Sequence, residues 1–521
     1  MHDPHLSKLR ELETTLLAHP GVLEAAAIFR EDGIAGKSQL LACIVPDENY
    51  ITQVLADPEN QAKRVDRRRK TFDLSQLGKQ AGTSEPGFNI AGWDSTYTRM
   101  PIPAEQMREW VDLSVQEIAS FQPQDILEIG CGTGLLLLRL ARGVRRYVGM
   151  DFAPVVLKKL KLQMDEIGGD WSSVTLLERS AVNFEGFGED AFDTAILNSV
   201  VQYFPSASYL TKVLKEACRV VKPGGRIFVG DIRNLALLDL YAGSVDLYQA
   251  PSHLKLAELQ QRARRRIEFE EQLVLSPAFF LALQRRIPKI CAIEIQPKRG
   301  QSDNELTRFR FDATLHVGAS SRKPNALSWL DWVEQPLTLQ ALAELLREPR
   351  RETLAIKRVA NARVEKDVQT LAALENSDGQ ETADDLRQRL HSLESRGLDP
   401  QKLWSVGEEL GYRVNVSWAA CRGDGSYEVV FQRPGADGKS ANPVIEWPVP
   451  ELDSNNLERY ASVPGRAVER QRLADQLLDH CKSQLPNGLS PEALIVLDAL
   501  PLTVEGKLDR QALLKADETC V

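Results

Sequence analysis

Residues 126–141 read ILEIGCGTGLLLLRLA, and this stretch limits the fold more than any other. Ile126, Leu127 and Ile129 are bulky apolar residues of the kind found in a strand covered on both faces. From Leu135 the apolar run continues with good helix formers. The join, Gly130-Cys131-Gly132-Thr133-Gly134, reads as a strand–tight loop–helix crossover. Glycine there lets the backbone turn sharply and lets a ligand approach it closely.

Strands and helices go on alternating after the crossover. RRYVGMD (145–151), VTLLER (174–179), AFDTAILNS (191–199) and RIFVGDI (226–232) read as strands. APVVLKKLKLQMDEI (153–167) and SYLTKVLKEACRVVKPGG (208–225) read as helices, the second with a Pro-Gly-Gly stop. Such alternation argues for a parallel sheet with helices on both faces. A helical stretch over 233–288 follows, then ICAIEIQPKRG and RFRFDATLHVG (308–318), two strands expected to close the same sheet. Ahead of the crossover, 9–29 read as helix, turn and strand, 38–46 as a strand, and 104–118 as a helix. ASSRKPNA (319–326) and PGADGKSANP (434–443) read as linkers around a smaller α+β lobe, and the tail reads as helix, strand and turn.

A chain of 521 residues is too long for one ordinary core. Its 43% hydrophobic and 26% charged residues are those of soluble globular protein, and no apolar run reaches the roughly 18–20 residues that cross a bilayer. The polar start MHDPHLSKLRELE is not a secretory signal. Cysteines 43, 131, 218, 291, 421, 481 and 520 are scattered, without metal-ligand spacing, which fits reduced thiols in a cytoplasm. A formal charge of −9 leaves no nucleic-acid footprint, and the basic runs at 63–70 and 262–271 read as solvated helix faces.

A glycine loop after the first strand also occurs in nicotinamide and flavin enzymes, so its neighbours decide the ligand. Glu128, two residues before the loop, would repel a pyrophosphate and suits a cationic ligand such as the amino group of a methionine moiety. Asp151 closes the next strand, where an acid can bind ribose hydroxyls. VVKPGG supplies a tight turn ahead of the late strand RIFVGD.

Together these residues resemble the class I S-adenosylmethionine-dependent methyltransferases, whose first motif is (D/E)xGxGxG. GWDSTYT, PIPAEQMREWV, DTAILNSVVQYFPSASYL, VVKPGGRIFVGDIR, LYQAP, PAFF and PKRGQSDNELTRFRFDATLHVG sharpen the likeness to the N-methyltransferase domains embedded in nonribosomal peptide synthetases. SWLDW and LWSVGEELGYRVNVSWA look like that domain's carboxyl-terminal extension. Both ends resemble the small subdomain of an adenylation domain, LETTLLAHPGVLEAAAIFREDGIAGKSQLLACIVP its start and LIVLDALPLTVEGKLDRQALL its end. The resemblance implies an α/β fold: a Rossmann-like, doubly wound methyltransferase sheet with an α+β extension lobe and a small adenylation remnant formed by both termini. The expected boundaries are 1–50 and 446–521 for the two parts of the adenylation subdomain and 51–103 for a linker and lid. Residues 104–320 are expected to form the methyltransferase and 321–445 its extension.

The likeness has gaps. The adenylation large subdomain and a carrier-type Gly-Gly-x-Ser serine are not in this chain, the Arg-rich start of the small subdomain is reduced to KLRELE, and LPNGLSP (485–491) lacks the family's tyrosine and methionine. No adenylation by this chain alone is expected, and Lys507, in the place of the family's final lysine, reads as a scaffold residue.

The resemblance implies S-adenosylmethionine as cofactor, with Glu128, Gly130, Cys131, Gly132 and Gly134 at its methionine end and Asp151 on the ribose. Phe152 would pack near the adenine, Ser180 and Ala181 would line its edge, and Asn198 would back the methionine carboxylate. Trp93 and Tyr97 would form a lid. Methyl transfer is an in-line displacement in which the protein mainly supplies alignment. Tyr203 and Asp231 are expected to position the acceptor amine or take its proton, with Gln202 and Arg233 nearby. The implied partners are an aminoacyl-loaded peptidyl carrier protein and an adenylation large subdomain, in cis or in trans. The fold does not choose the nucleophile, so O- or C-methylation, or a non-catalytic docking element, stay open.

Overall fold

The computed structural model describes residues 4–31, 38–77, 85–318, 327–348, 351–376, 379–434, 445–486 and 489–516. The expected linker at 319–326 lies outside them, as does nearly all of that at 434–443. The chain divides into two compact units: Met1–Arg64 with Glu268–Glu271 and Val463–Val521, and Val65–Ile267 with Gln272–Ser462.

In the first unit the strands Val22–Glu31 and Ser38–Pro46 pair antiparallel. Ala493–Val496 adds a parallel third strand, Ala493 beside Leu41. Leu12, Leu16, Ala42 and Ile44 from one end of the chain share a core with Leu473 and Leu477 from the other.

The second unit holds a seven-stranded sheet. Its strands are β1 (Asp125–Ile129), β2 (Arg146–Asp151), β3 (Val174–Glu178), β4 (Phe192–Asn198), β5 (Val221–Arg233), β6 (Ile290–Pro297) and β7 (Arg310–Val317). They lie in the order β3-β2-β1-β4-β5-β7-β6. The first five are parallel, and the reversal of direction around β1 is the switch point at which open α/β sheets bind ligands. Alternation along each strand sends Leu127, Val148, Leu197 and Val229 to one face and Ile126, Tyr147, Ile196 and Phe228 to the other.

Four helices of this unit matter below: α1 (Pro58–Leu77, of which the part from Val65 lies here), α2 (Ala104–Ser120), α3 (Pro154–Ile167) and α4 (Ala207–Val220). Leu210, Val213 and Leu214 of α4 cover the first face; Ile118 of α2 and Leu157 and Leu160 of α3 cover the second. A separate four-stranded sheet, from Trp329–Asp331, Thr353–Val359, Tyr427–Gln432 and Arg413–Ser417, forms the smaller lobe.

Four details differ from the sequence reading. The last two strands close the same sheet, but β7 runs antiparallel to both its neighbours, β5 and β6, which brings Arg310 to the edge where β5 ends. The helix after the glycine loop is only Leu137–Leu140 plus a 3-10 turn, because β2 begins at Arg146 and leaves no length for more. The Pro-Gly-Gly stop lies inside β5, whose pairing starts at Val221 opposite Phe192 and shifts register before Arg226. Residues 51–103, expected as linker and lid, hold most of Glu48–Ala56 and all of α1. Helix α1 shows almost no apolar stripe, and ion pairs one turn apart, Glu59–Lys63 and Asp66–Lys70, support it.

One buried ion pair ties the late strands to α2. Lys298 lies 3.0 Å from Asp312 on β7 and also donates to Ser114 of α2, and all three are buried. Burial pushes the Asp312 carboxyl up, while Lys298 and the backbone N–H of Asp231 pull it back. Removing one partner of such a pair leaves an uncompensated buried charge. Lys298→Met should therefore lose about 3–5 kcal/mol of stability in urea unfolding. A loss below roughly 1 kcal/mol would show that the pair does not hold this part of the sheet.

Candidate active site

The glycine loop opens at the carboxyl end of β1, and its three glycines do different work. Gly130, Gly132 and Gly134 all have left-handed φ, at 79°, 52° and 83°. A Cβ on Gly130 would lie 2.6 Å from Val200, and one on Gly134 would lie 2.3 Å from Leu160. Those two glycines make room for the protein itself. Gly132 alone would point a Cβ into open space, with nothing within 4 Å, so it is the loop residue that leaves room for a ligand. The N–H groups of Gly130 and Cys131 are taken by the carbonyl of Met150, and the buried Cys131 side chain packs into the core. Cys131, expected at the cofactor, therefore belongs to the packing beneath the loop.

Asp151, at the end of β2, holds the loop in place. Its Oδ2 accepts the N–H of Gly132 at 3.0 Å and its Oδ1 accepts that of Ala153 at 2.9 Å. Burial raises its pKa, against the pull of the N–H groups of Ala153, Gly132 and Phe152. Each oxygen keeps a lone pair for a further donor. Phe152 follows it directly, half-buried, and Ser180 and Ala181 stand half-buried just past β3. Asn198, the last residue of β4, has a buried Oδ1 with no hydrogen-bond partner. An open glycine face, a strand-end carboxylate and an unused carbonyl oxygen fit the polar methionine and ribose ends of S-adenosylmethionine.

Glu128 corrects the sequence reading. Its carboxyl is 3% exposed and accepts the Tyr147 hydroxyl at 2.8 Å. Burial pushes it up to about 8, with Asp151 adding to the rise and the Tyr147 hydrogen bond opposing it. The Glu128 carboxyl is thus turned to the Tyr147 hydroxyl between β1 and β2 and favours its protonated form more than an ordinary glutamate does.

Asp231 also departs from expectation. It sits in a bulge of β5, where the register with β7 shifts between Val229 and Ile232, and has a φ of 62°. Its N–H leaves the ladder and donates to Asp312 at 2.7 Å. Its side chain, 0% exposed, accepts from Ser199 Oγ at 2.7 Å, Trp110 Nε1 at 3.2 Å and Arg310 at 2.5 Å. A side chain with no exposure and three donors already on it is held in place by the protein and presents no free oxygen to the cleft. Burial alone would lower Arg310, but Asp231, Glu305 and Tyr203 hold its guanidinium above the ordinary arginine range.

Arg310 faces a small cleft that it lines with Arg233, Tyr241, Val274, Glu305 and Phe309. Tyr203, in the 3-10 turn after β4, is 42% exposed and close enough to act on the charge of Arg310. Gln202 beside it donates to Ser199 Oγ at 3.1 Å, and its buried Oε1 has no partner. Tyr97 does not lie over the glycine loop as expected. Its hydroxyl is 2.6 Å from Ser244 Oγ, its ring meets Tyr241 and Tyr248 edge-on, and Arg308 lies over it, so it belongs to the acceptor side. Trp93 packs 4.6 Å from Trp110 and reaches Asp231 only through it.

Sequence reasoning missed Arg310, Ser199 and Trp110. A signal existed for the first. RFRFD alternates charge with phenylalanine in a stretch expected to be a buried strand, and buried charges need partners. Among the described residues no three His, Cys, Asp or Glu side chains could together hold a metal, and no helix is long and apolar enough to cross a membrane.

The state of Glu128 makes a testable difference to stability. The unfolded chain ionises this carboxyl near 4.5 and the folded protein near 8, so between these values the folded state binds more protons. Stability from this residue therefore falls as pH rises through that window. In thermal unfolding the melting temperature of Glu128→Gln should fall less between pH 5 and pH 8 than that of the wild type. Parallel curves would show that Glu128 is already ionised in the folded protein.

Residues 127–229 match a family profile described as a methyltransferase domain. Over 97% of its length the chain is 38% identical to part of chondramide synthase cmdD of Chondromyces crocatus, spanning 13% of that protein. Over 96% it is 31% identical to part of CymA of Salinispora arenicola, a probable non-canonical nonribosomal peptide synthetase, spanning 6% of it. Among solved structures, N-methyltransferase NodS of Bradyrhizobium japonicum in complex with S-adenosylhomocysteine is 15% identical, covering 43% of this chain and 99% of its own, with a TM-score of 0.27. The chain thus carries a class I S-adenosylmethionine-dependent methyltransferase domain, of the kind set within nonribosomal peptide synthetases.

Proposed function

We propose that this domain methylates the α-amino nitrogen of an aminoacyl group held as a thioester on a peptidyl carrier protein. The observation that carries the reading is the cleft lined by Arg310 and Arg233 at the end of the sheet where β4 and β5 finish, with Tyr203 following β4, the strand beside β1. Similarity to synthetase segments along nearly the whole chain supports the carrier-bound substrate.

Bound S-adenosylmethionine supplies an electrophilic methyl carbon. Gly132, Asp151, Phe152, Ser180, Ala181 and Asn198 would hold it, Asp151 through the ribose and Asn198 at the methionine end. An acceptor amine must present a free lone pair, and an ordinary α-amine has a pKa of about 7.7–8.0. The Arg310 and Arg233 guanidiniums disfavour an ammonium in the pocket, and the adjacent thioester withdraws electrons further. Tyr203 orients the amine. Asp231 acts at one remove, as a positioning residue that fixes Arg310, so the displaced proton leaves to solvent.

The unit built from both termini is read as the small subdomain of an adenylation domain, interrupted by the methyltransferase, whose large subdomain acts in cis or in trans. Lys507 there is exposed and paired with Glu505. The lobe around the four-stranded sheet is read as the methyltransferase's extension.

Mass spectrometry of aminoacyl-loaded carrier proteins, after incubation with the protein and S-adenosylmethionine, tests the reading. One added methyl on the α-nitrogen is expected; a methyl on oxygen or carbon, or no transfer to any carrier-bound amino acid, would overturn it. Asp231→Asn should slow transfer roughly 100-fold, the loss that a misplaced positioning group causes. Cofactor affinity should hold, and the pH–rate profile should run parallel to that of the wild type. Recovery of the variant at alkaline pH would make Asp231 a base after all.

A further inference from the structure

From Val65 onward, α1 meets the ligand edge of the sheet at three points. The Arg68 guanidinium lies 4.2 Å from the centre of the Tyr203 ring, just after β4. Arg69 feels the charge of Glu178, the last residue of β3. Asp73 lies close enough to Asp151, the last residue of β2, for its charge to oppose ionisation there. Five residues of helix from Arg68 to Asp73 rise about 7.5 Å. The two strand spacings from β4 to β2 span roughly 9–10 Å. The helix is therefore long enough to reach from the end of β4 to the end of β2, on either side of β1 and its glycine loop.

Asp73 is not satisfied by the protein. Its side chain is 14% exposed, and Oδ2 is 3.8 Å from Arg69. Its Oδ1 is sealed from solvent without a hydrogen-bond partner. Asp151 opposite has each oxygen already engaged once by backbone N–H. Asp73 thus carries a buried acceptor without a donor on the side of the sheet where Asp151 ends β2, and such unsatisfied groups mark a missing ligand or a function. A vicinal diol supplies two O–H donors.

We propose that Asp73 is a second carboxylate of the nucleoside site, accepting a hydrogen bond from the ribose diol of S-adenosylmethionine beside Asp151, with α1 roofing the bound nucleoside. This rests on the glycine loop being the cofactor site. Calorimetric titration of the full chain with S-adenosylhomocysteine, and with its analogue lacking both ribose hydroxyls, tests it. Asp73→Ala should weaken binding of the first roughly tenfold or more while leaving the second unchanged. Equal affinity of variant and wild type for S-adenosylhomocysteine would overturn the proposal. An equal loss for both ligands would overturn it too, since the substitution would then have disturbed the helix and not a diol contact. A wild-type protein that binds neither ligand would instead remove the cofactor site on which the proposal stands.

Discussion

The buried carboxylate of Asp231 organises the edge of the sheet where β4, β5 and β7 meet. It joins four elements at one point: Trp110 from α2, Ser199 from the loop after β4, Arg310 from β7, and its own bulge in β5. Through its N–H it reaches Asp312 and so the buried Lys298 pair. A charge with no exposure persists only when paired and hydrogen-bonded. The left-handed backbone at Asp231 has the same origin, because surrounding contacts must enforce a conformation that costs a non-glycine residue of order 1–3 kcal/mol. Arg310 thereby gains a fixed direction at the pocket without a mobile side chain of its own.

The cofactor side works by a different device. Gly130 and Gly134 let Val200 and Leu160 pack against the loop, and Asp151 clamps Gly132 from the next strand. Of the three glycines only Gly132 then turns a Cα toward open space, and one carboxylate holds it there. Glu128, which motif reasoning places at the ligand, is sunk against Tyr147 and serves the seam between β1 and β2.

The sequence showed the sheet well and the site unevenly. Strands β1, β2, β4 and β5 announced themselves because residues buried on both faces leave apolar runs broken by helices with one apolar stripe. The antiparallel turn of β7 did not, since a strand's own residues do not state its direction. Helix α1 was taken as linker because its charges obscure any stripe, although spaced Glu–Lys and Asp–Lys pairs support it. Asp151 was legible from its place at a strand end. The role of Asp231 was not, because its partners Trp110, Ser199 and Arg310 come from stretches far apart in the chain and meet only in the fold.

A crystal structure of the chain with S-adenosylhomocysteine tests the central claim most directly. The account predicts the product cofactor against Gly132, its ribose hydroxyls bonded to Asp151 and its sulfur directed toward the edge formed by Tyr203 and Arg310. A nucleoside bound elsewhere, or seated with Asp151 untouched and the sulfur turned from that edge, would contradict it.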